Sequence, residues 1–402
     1  MLSPENQEEL KVNSKGKFDW HALIFGQDMS RRMFGLDLMR AIAILQVMML
    51  HGSYIIAPES LWWYSIPAIS VEGVSLFFVL SGFLIGGILL RILEKTTFGW
   101  RAMLNFLIRR WFRTIPNYWL ALILILGLGA ITGTMQRGFS IDYVFFFQNF
   151  FWMRPPFYPE SWSLTIEEWF YLLVPLSIFL LALIKRTPNQ SIFIVSLIFI
   201  VLPNILRIWH YSPEATFPEW PFYTRIIVVY RLDSVMMGIV LAWLYRYRKE
   251  QLLKYKNIGM VLALVLIAVM TFVVKTGANA HWYESTLILN LEPLIAFLAI
   301  PYLAEWKTTR YKTFGNIMQF LSVASYAMYI LNLTIVQTIV LPILTGPMDH
   351  HHPTSPAMGM LRLGLFWLIT VPCAWVLYRF YETPMRNLRD KVHIREDAPK
   401  KN

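Results

Sequence analysis

About ten stretches of the chain are apolar for roughly 20 residues at a time, near residues 36–57, 66–90, 115–132, 163–184, 191–209, 223–245, 257–274, 286–304, 316–344 and 358–384. A helix rises about 1.5 Å per residue, so each run is long enough to cross a hydrocarbon layer about 30 Å thick. Backbone in lipid must satisfy its own hydrogen bonds, and runs of this length do so as helices. The pattern therefore predicts an all-α polytopic membrane protein of about ten transmembrane helices. The sixth and ninth runs are the least regular, and Pro342 predicts that the ninth is a shorter helix followed by a surface segment. Composition agrees: 56% of residues are hydrophobic and 15% charged, against about 25% charged in a typical soluble domain.

The net charge of +11 leaves two classes of partner open, a polyanion or a membrane. Placement decides between them. Of the 36 Lys and Arg, 27 fall in the tails and in alternate connections, only Arg137, Arg154 and Lys275 fall in the others, and six lie within the apolar runs. This positive-inside asymmetry predicts that both termini are cytoplasmic. No basic stripe remains to serve a nucleic acid, which is excluded as a partner. One membrane domain, 36–384, is expected between a polar tail, 1–35, and a basic tail, 385–402. The tail carries no short apolar stretch with a small-residue cleavage site, so the first run is expected to stay as a helix. Gly99–Arg113 alternates apolar and basic residues at helical spacing and predicts an interfacial helix before the third span. The aromatic segment 143–152, within the connection 133–162, is expected to pack on the outer mouth. A single cysteine, Cys373, excludes a disulfide framework and a multi-cysteine metal site. His350, His351 and His352 are consecutive loop residues that converge poorly, so no metal is expected.

Ionisable groups within spans cost at least about 2.5 kcal/mol each, and so mark the interior of the bundle and its chemistry. Arg40 and His51 are eleven residues apart on the first run, which returns within about 20° of the same face and separates them by about 16 Å. Glu72 lies near the outer end of the second run, whose Gly73, Ser81, Gly82, Gly86 and Gly87 are expected to serve helix packing. Glu167 and Glu168 lie about one turn into the fourth run, at the depth of His51, and Ser163 is expected to cap that helix. Arg231 and Asp233, two residues apart, face each other poorly and should pair with other helices. Ser325, Tyr329 and Asn332 recur at helical spacing and offer interior hydrogen bonds. Glu382 is expected at the cytoplasmic mouth, pairing with an arginine of 91–114.

These residues fall in motifs that resemble the acyltransferase family 3 of integral membrane acyltransferases. The resemblance runs in order from Gly35 to Pro384: GLDLMRAIAILQVMMLH, GVSLFFVLSGFLI, RRWFRTIPNYW, WSLTIEEWFY, RLDSVMMG, SYAMYI and YETP. It implies a multi-pass protein of a cell membrane, the bacterial inner membrane, with an acyl-CoA donor, acetyl-CoA foremost, on the cytoplasmic side. The acceptor it implies is a hydroxyl of a cell-surface or periplasmic carbohydrate or glycolipid. No permanently bound cofactor is implied. Carried over by position, Arg40 and His51 are the signature pair, Glu167 is the acid of the WSL motif, and Arg109 and Arg110 are the paired arginines. Two positions depart: Ser75 stands where many members have Asp, and Asn332 where many have His. No esterase-like domain is expected after the last run, so handover to such a domain would imply a separate periplasmic protein.

Acyl transfer to an alcohol needs a base, oxyanion stabilisation and a phosphate site. His51 fits the base, with Glu167 expected to orient it and hold its tautomer. Arg109, Arg110 and Arg113 fit the nucleotide phosphates as charge-assisted donors, and Arg40 fits the pantetheine arm or the thioester oxygen. Glu72, Trp162, Arg231, Tyr326, Tyr329 and Asn332 are expected to line the substrate site. Trp62, Trp63, Trp152 and Tyr158 are placed to stack on sugar rings or to anchor the interface, as Trp and Tyr at that depth commonly do. Direct transfer and a transient acyl-His51 both remain open. A secondary transporter and a non-catalytic partner in glycan export are the alternatives from other classes, though no pair of interrupted helices in two repeats supports the first.

Overall fold

A computed structural model describes residues 32–56, 72–95, 98–133, 138–152, 157–210, 224–276, 286–346, 355–389 and 392. Among these the regular structure is all helical. The principal helices are α1 (Phe34–Ser53), α2 (Gly73–Lys95), α3 (Trp100–Thr132), α4 (Trp162–Leu183), α5 (Pro188–Trp209), α6 (Leu232–Tyr247), α7 (Lys256–Thr276), α8 (Ile288–Glu305), α9 (Lys312–Leu331) and α10 (Pro356–Leu377). The helix of α9 continues as a π-helix, Asn332–Val340, and then as Leu341–Thr345; α10 continues through Tyr378–Glu382 into Thr383–Arg389. Nine of the ten helical units are long and apolar enough to cross a membrane.

The exception is α6, and it corrects the sixth predicted span. Only 16 residues are helical there, preceded by a 3-10 turn, Val228–Tyr230. The cause is local: Asn149 takes over the backbone of 226–228, its side-chain Nδ2 donating to Ile226 O at 2.5 Å and its backbone carbonyl accepting from Val228 N–H at 2.9 Å. With its polar backbone groups satisfied from the side, the β-branched run IIVV has no need of the helical ladder. Residues 316–344 are also reorganised. They do not end in a surface segment, because the π-helix carries the chain on to Thr345.

The expected interfacial helix is not separate either. α3 runs unbroken for 33 residues, about 50 Å at 1.5 Å per residue, so its basic first turns project beyond a 30 Å hydrocarbon layer. The aromatic segment does pack on the bundle: Tyr118 Oη donates to Tyr143 O at 2.7 Å, and Trp169 Nε1 to Phe146 O at 2.6 Å.

α2 is central, lying along α6 and against α1 and α8, while α9 packs on α1 and α10. Lipid removes the hydrophobic drive for helix association, so close backbone approach has to supply it. A Cβ on Gly82 would lie 2.0 Å from Val235 O, and one on Gly238 2.2 Å from Val79 O, so α2 and α6 touch backbone to backbone. Gly73 and Gly86 are likewise at contacts, whereas Gly87 faces open space and Ser81 a cavity. Only 17% of the spanning residues of α7 and 22% of those of α10 are buried, which places both at the lipid-facing rim.

Candidate active site

α1, α2, α3, α4 and α9 surround a cavity of about 820 Å³, part of it open to solvent. Arg110 and Arg113, on one face of α3 three residues apart, flank one end together with Arg40 of α1. Ser81 of α2 and Glu167 and Tyr171 of α4 form the middle. Ser163, at the start of α4, and Tyr329, near the end of α9, close the other end, with Tyr326 beside them. One wall is apolar, built by Val74, Phe77 and Phe78 of α2. Three guanidinium groups against one carboxylate give the cavity a positive field that suits an anion.

Several polar wall groups are held by their neighbours. Arg40 donates to Ser322 Oγ at 3.1 Å and sits 3.5 Å from Asp37, a buried acid that Arg32 also grips through Nε at 2.9 Å. Tyr171 Oη donates to Glu167 Oε2 at 2.7 Å, and Arg113 and Arg40 are the cations that act on Glu167. Glu168 points the other way, buried, and accepts from the Thr114 hydroxyl. Tyr326 Oη donates to Thr114 O at 2.8 Å. Tyr329 Oη meets Ser163 Oγ at 2.6 Å and donates to Glu160 O at 2.9 Å.

Three expectations are corrected by this geometry. Ser163 does not cap α4, because the turn Pro159–Ser161 places it inside the first helical turn, where its hydroxyl engages Tyr329 instead. Glu167 does not orient His51; the ring's Nδ1 is hydrogen-bonded to Asn332 Oδ1, and Glu167 faces the arginines. Arg109 is exposed and is not a cavity wall, since a step of one residue turns it about 100° from Arg110.

The remaining predicted residues separate into two neighbourhoods beside the cavity. His51 is half-buried two residues from the end of α1 and lies against fully buried Asn332, whose Nδ2 donates to Tyr329 O at 2.7 Å. Asn332 therefore links His51 to the cavity wall rather than lining the cavity itself. Glu72 and Arg231 join a second cluster: Arg225 lies 2.7 Å from Glu72 Oε2, and Arg231 Nη2 lies 3.5 Å from Glu72 Oε2 and 2.8 Å from Ser75 Oγ. Ser75 in turn donates to Glu292 Oε2 at 2.7 Å. The cluster abuts the cavity through Phe78, whose ring Arg231 covers at 5.7 Å and Trp162 meets edge-on at 6.0 Å. As expected, Arg231 and Asp233 pair elsewhere, Asp233 with Arg207 at 2.6 Å.

Sequence reasoning passed over Glu292, Asp37 and Tyr171. Each is an ionisable group inside an apolar run, the same signal that marked Arg40, and Asp37 sits within the GLDLMR motif itself. Glu382 is buried, with Arg386 and then Arg113 the cations that act on it. Tyr158 cannot stack on a sugar, being fully buried with its hydroxyl on Ile330 O at 3.0 Å, whereas Trp152 is exposed. Trp62, Trp63 and His350 to His352 lie outside the described residues.

Comparison with known proteins follows the same length of chain. The family model described as an acyltransferase domain matches residues 33–379. A candidate O-acetyltransferase of Staphylococcus aureus strain MSSA476 is 24% identical over 382 residues, covering 89% of this chain and 58% of the relative. The peptidoglycan O-acetyltransferase OatA of Listeria monocytogenes is 24% identical over 375 residues, 87% of this chain and 55% of its own. The O-acetyltransferase OatA of Staphylococcus aureus strain NCTC 8325 is 26% identical over 381 residues, 89% of this chain and 57% of its own. This chain thus spans a little over half the length of these relatives. No solved structure matches it.

Proposed function

Because the chain belongs to this acyltransferase family, we propose that it is a membrane O-acetyltransferase that moves an acetyl group from acetyl-CoA to a hydroxyl of a surface or periplasmic glycan. The observation that carries the reading is the cavity with Arg40, Arg110 and Arg113 at one end and Glu167, Ser163 and Tyr329 beyond. Arg110 and Arg113 suit the phosphates of the donor as charge-assisted donors, and the apolar wall of α2 suits the pantetheine arm. The relatives named O-acetyltransferases support the acetyl group. The positive-inside asymmetry supports a cytoplasmic donor side and an acceptor side at the mouth near His51.

In this reading His51 takes the proton of the acceptor hydroxyl as its oxygen attacks the thioester carbon. Arg40, about 16 Å from His51 along α1 and at the donor end with Arg110 and Arg113, is placed to steady the pantetheine arm of the donor. The C–S bond then breaks, the acceptor leaves as the ester, and the CoA thiolate recovers the proton, so the exchange is balanced. The variant with a transient acyl-His51 differs only in inserting one more transfer.

The test is acetyl transfer by membranes carrying the chain, with labelled acetyl-CoA and a panel of de-O-acetylated surface glycans. Glycan-dependent release of free CoA together with labelled ester is the expected result. No release with any glycan would instead favour a transporter or a non-catalytic partner. A burst of labelled protein without acceptor would select the acyl-enzyme route. A His51→Ala chain that kept the full rate would remove His51 from the base role.

A further inference from the structure

The geometry points to Asn332 as the positioning residue that fixes the tautomer of His51, holding a proton on Nδ1 and leaving Nε2 as the basic nitrogen. The inference rests on the proposed role of His51 as base and deepens it.

A carboxamide has an oxygen that only accepts and a nitrogen that only donates. At Asn332 the nitrogen is committed: Nδ2 donates to Met328 O at 3.0 Å and to Tyr329 O at 2.7 Å. Rotating the amide would set its oxygen against two carbonyl oxygens in a residue with no exposed surface, so the backbone dictates which atom faces the imidazole. That atom is Oδ1, which lies against His51 Nδ1. An oxygen without hydrogens requires the hydrogen to come from the ring. A neutral imidazole has one N–H, so the lone pair resides on Nε2.

The backbone around Asn332 is shaped for this. Asn332 opens the π-helix Asn332–Val340, and a switch from four-residue to five-residue bonding leaves a carbonyl at the junction short of its ladder donor. The Asn332 amide supplies one. The π-helix is pinned from outside by Glu160, whose carboxylate accepts from Thr334 N–H at 2.9 Å and from Thr334 Oγ1 at 2.6 Å.

No charged group competes for the ring among the described residues. Tyr54, just past the end of α1, stacks on it at 6.4 Å. From the facing elements, Glu72 and Glu292 are engaged by Arg225 and Arg231, Glu160 by Thr334, and Arg362 of α10 by Thr345. Asp37 and Arg40 lie at the far end of α1. The ring's polar partner is Asn332. An amide does not take up a proton, so within this pair the proton taken from the acceptor is held by His51.

The test uses the full chain in detergent or membranes, with acetyl-CoA as donor and a de-O-acetylated surface glycan as acceptor. In Asn332→Asp a carboxylate meets Nδ1 and favours the imidazolium. A raised pKa keeps the base protonated to higher pH, so the acidic limb of kcat/KM moves up by about one to three pH units. In Asn332→Ala both tautomers and other ring poses become available, and kcat falls about a hundredfold while KM for acetyl-CoA stays within about twofold. In the unaltered protein, 15N-histidine NMR above the titration shows the His51 signal, assigned by its loss in His51→Gln, with Nδ1 protonated and Nε2 bare. The inference is overturned by the opposite tautomer, or by an unmoved limb with near-normal kcat in both Asn332 variants while His51→Ala is inactive. If His51→Ala itself retains activity, the base reading fails instead, and the NMR result still decides the tautomer.

Discussion

Ser75 shows how one residue's departure is balanced by a residue on another helix. Where the family resemblance leads to an expectation of Asp, this chain has a neutral hydroxyl, and the charges facing Arg231 come from Glu72, at 3.5 Å, and from Glu292 of α8, through Ser75 Oγ. Glu72 and Glu292 then balance Arg225 and Arg231. Glu292→Gln should leave a buried guanidinium short of its counter-charge and cost about 3 kcal/mol. Ser75→Asp alone should destabilise by adding a third carboxylate. The double change relocates the charge and should restore most of the loss, as read from thermal unfolding in detergent; additive losses would reject the compensation. The cavity gives a second residue-level prediction. Arg110→Gln or Arg113→Gln should each raise KM for acetyl-CoA about tenfold, the worth of one charge-assisted hydrogen bond. Arg109→Gln should change KM less than about twofold. Steady-state kinetics at fixed ionic strength separates them, and an Arg109 effect as large as the others would remove the face argument. The motif made the arginine pair legible in sequence. Which of the two faces inward was not, until the continuity of α3 set the helical phase.

At the scale of elements, the apolar runs announced the helices, because a hydrophobic stretch of about 20 residues has few other fates. Two boundaries escaped for the same physical reason. The break before α6 and the widening after Leu331 are both stabilised by side chains from distant segments, Asn149 and Glu160, that take backbone groups out of the ladder. Such partners have no signature in the local sequence. The contact of α2 with α6 is more legible, since Gly82 and Gly238 are small residues in spanning runs. It also carries a sharp expectation: Gly82→Ala forces a methyl group onto the Val235 carbonyl, must separate the two backbones, and should cost about 1–3 kcal/mol. Gly87→Ala, where the space is open, should be neutral or slightly stabilising. Melting temperatures of the two variants in one detergent test this, and equal effects would mean that the helices do not approach as closely as described.

At the scale of the molecule, the proposed reaction has a direction, and direction depends on whether α6 crosses the membrane. From the connection that holds Ile141 to the one that holds Glu250, the chain passes through α4, α5 and α6. Three crossings place these two points on opposite sides; if α6 does not cross, they share a side. Sixteen helical residues span about 24 Å, short of a 30 Å layer, but the preceding turn Val228–Tyr230 and residues 224–226 extend its reach. The asymmetry of Lys and Arg sets Glu250 inside and Ile141 outside. Both side chains are exposed, and the single native thiol, Cys373, can be removed by Cys373→Ser. In that background Ile141→Cys should react with a membrane-impermeant maleimide in intact cells, while Glu250→Cys should react only after permeabilisation. Labelling of both in intact cells, or of neither, would show that α6 does not cross. Labelling of Glu250→Cys alone would invert the orientation and put the Arg110 and Arg113 end of the cavity on the side away from cytoplasmic acetyl-CoA. Only the expected pattern gives the donor a path to the arginines and the acceptor a path toward His51 without either crossing the bilayer.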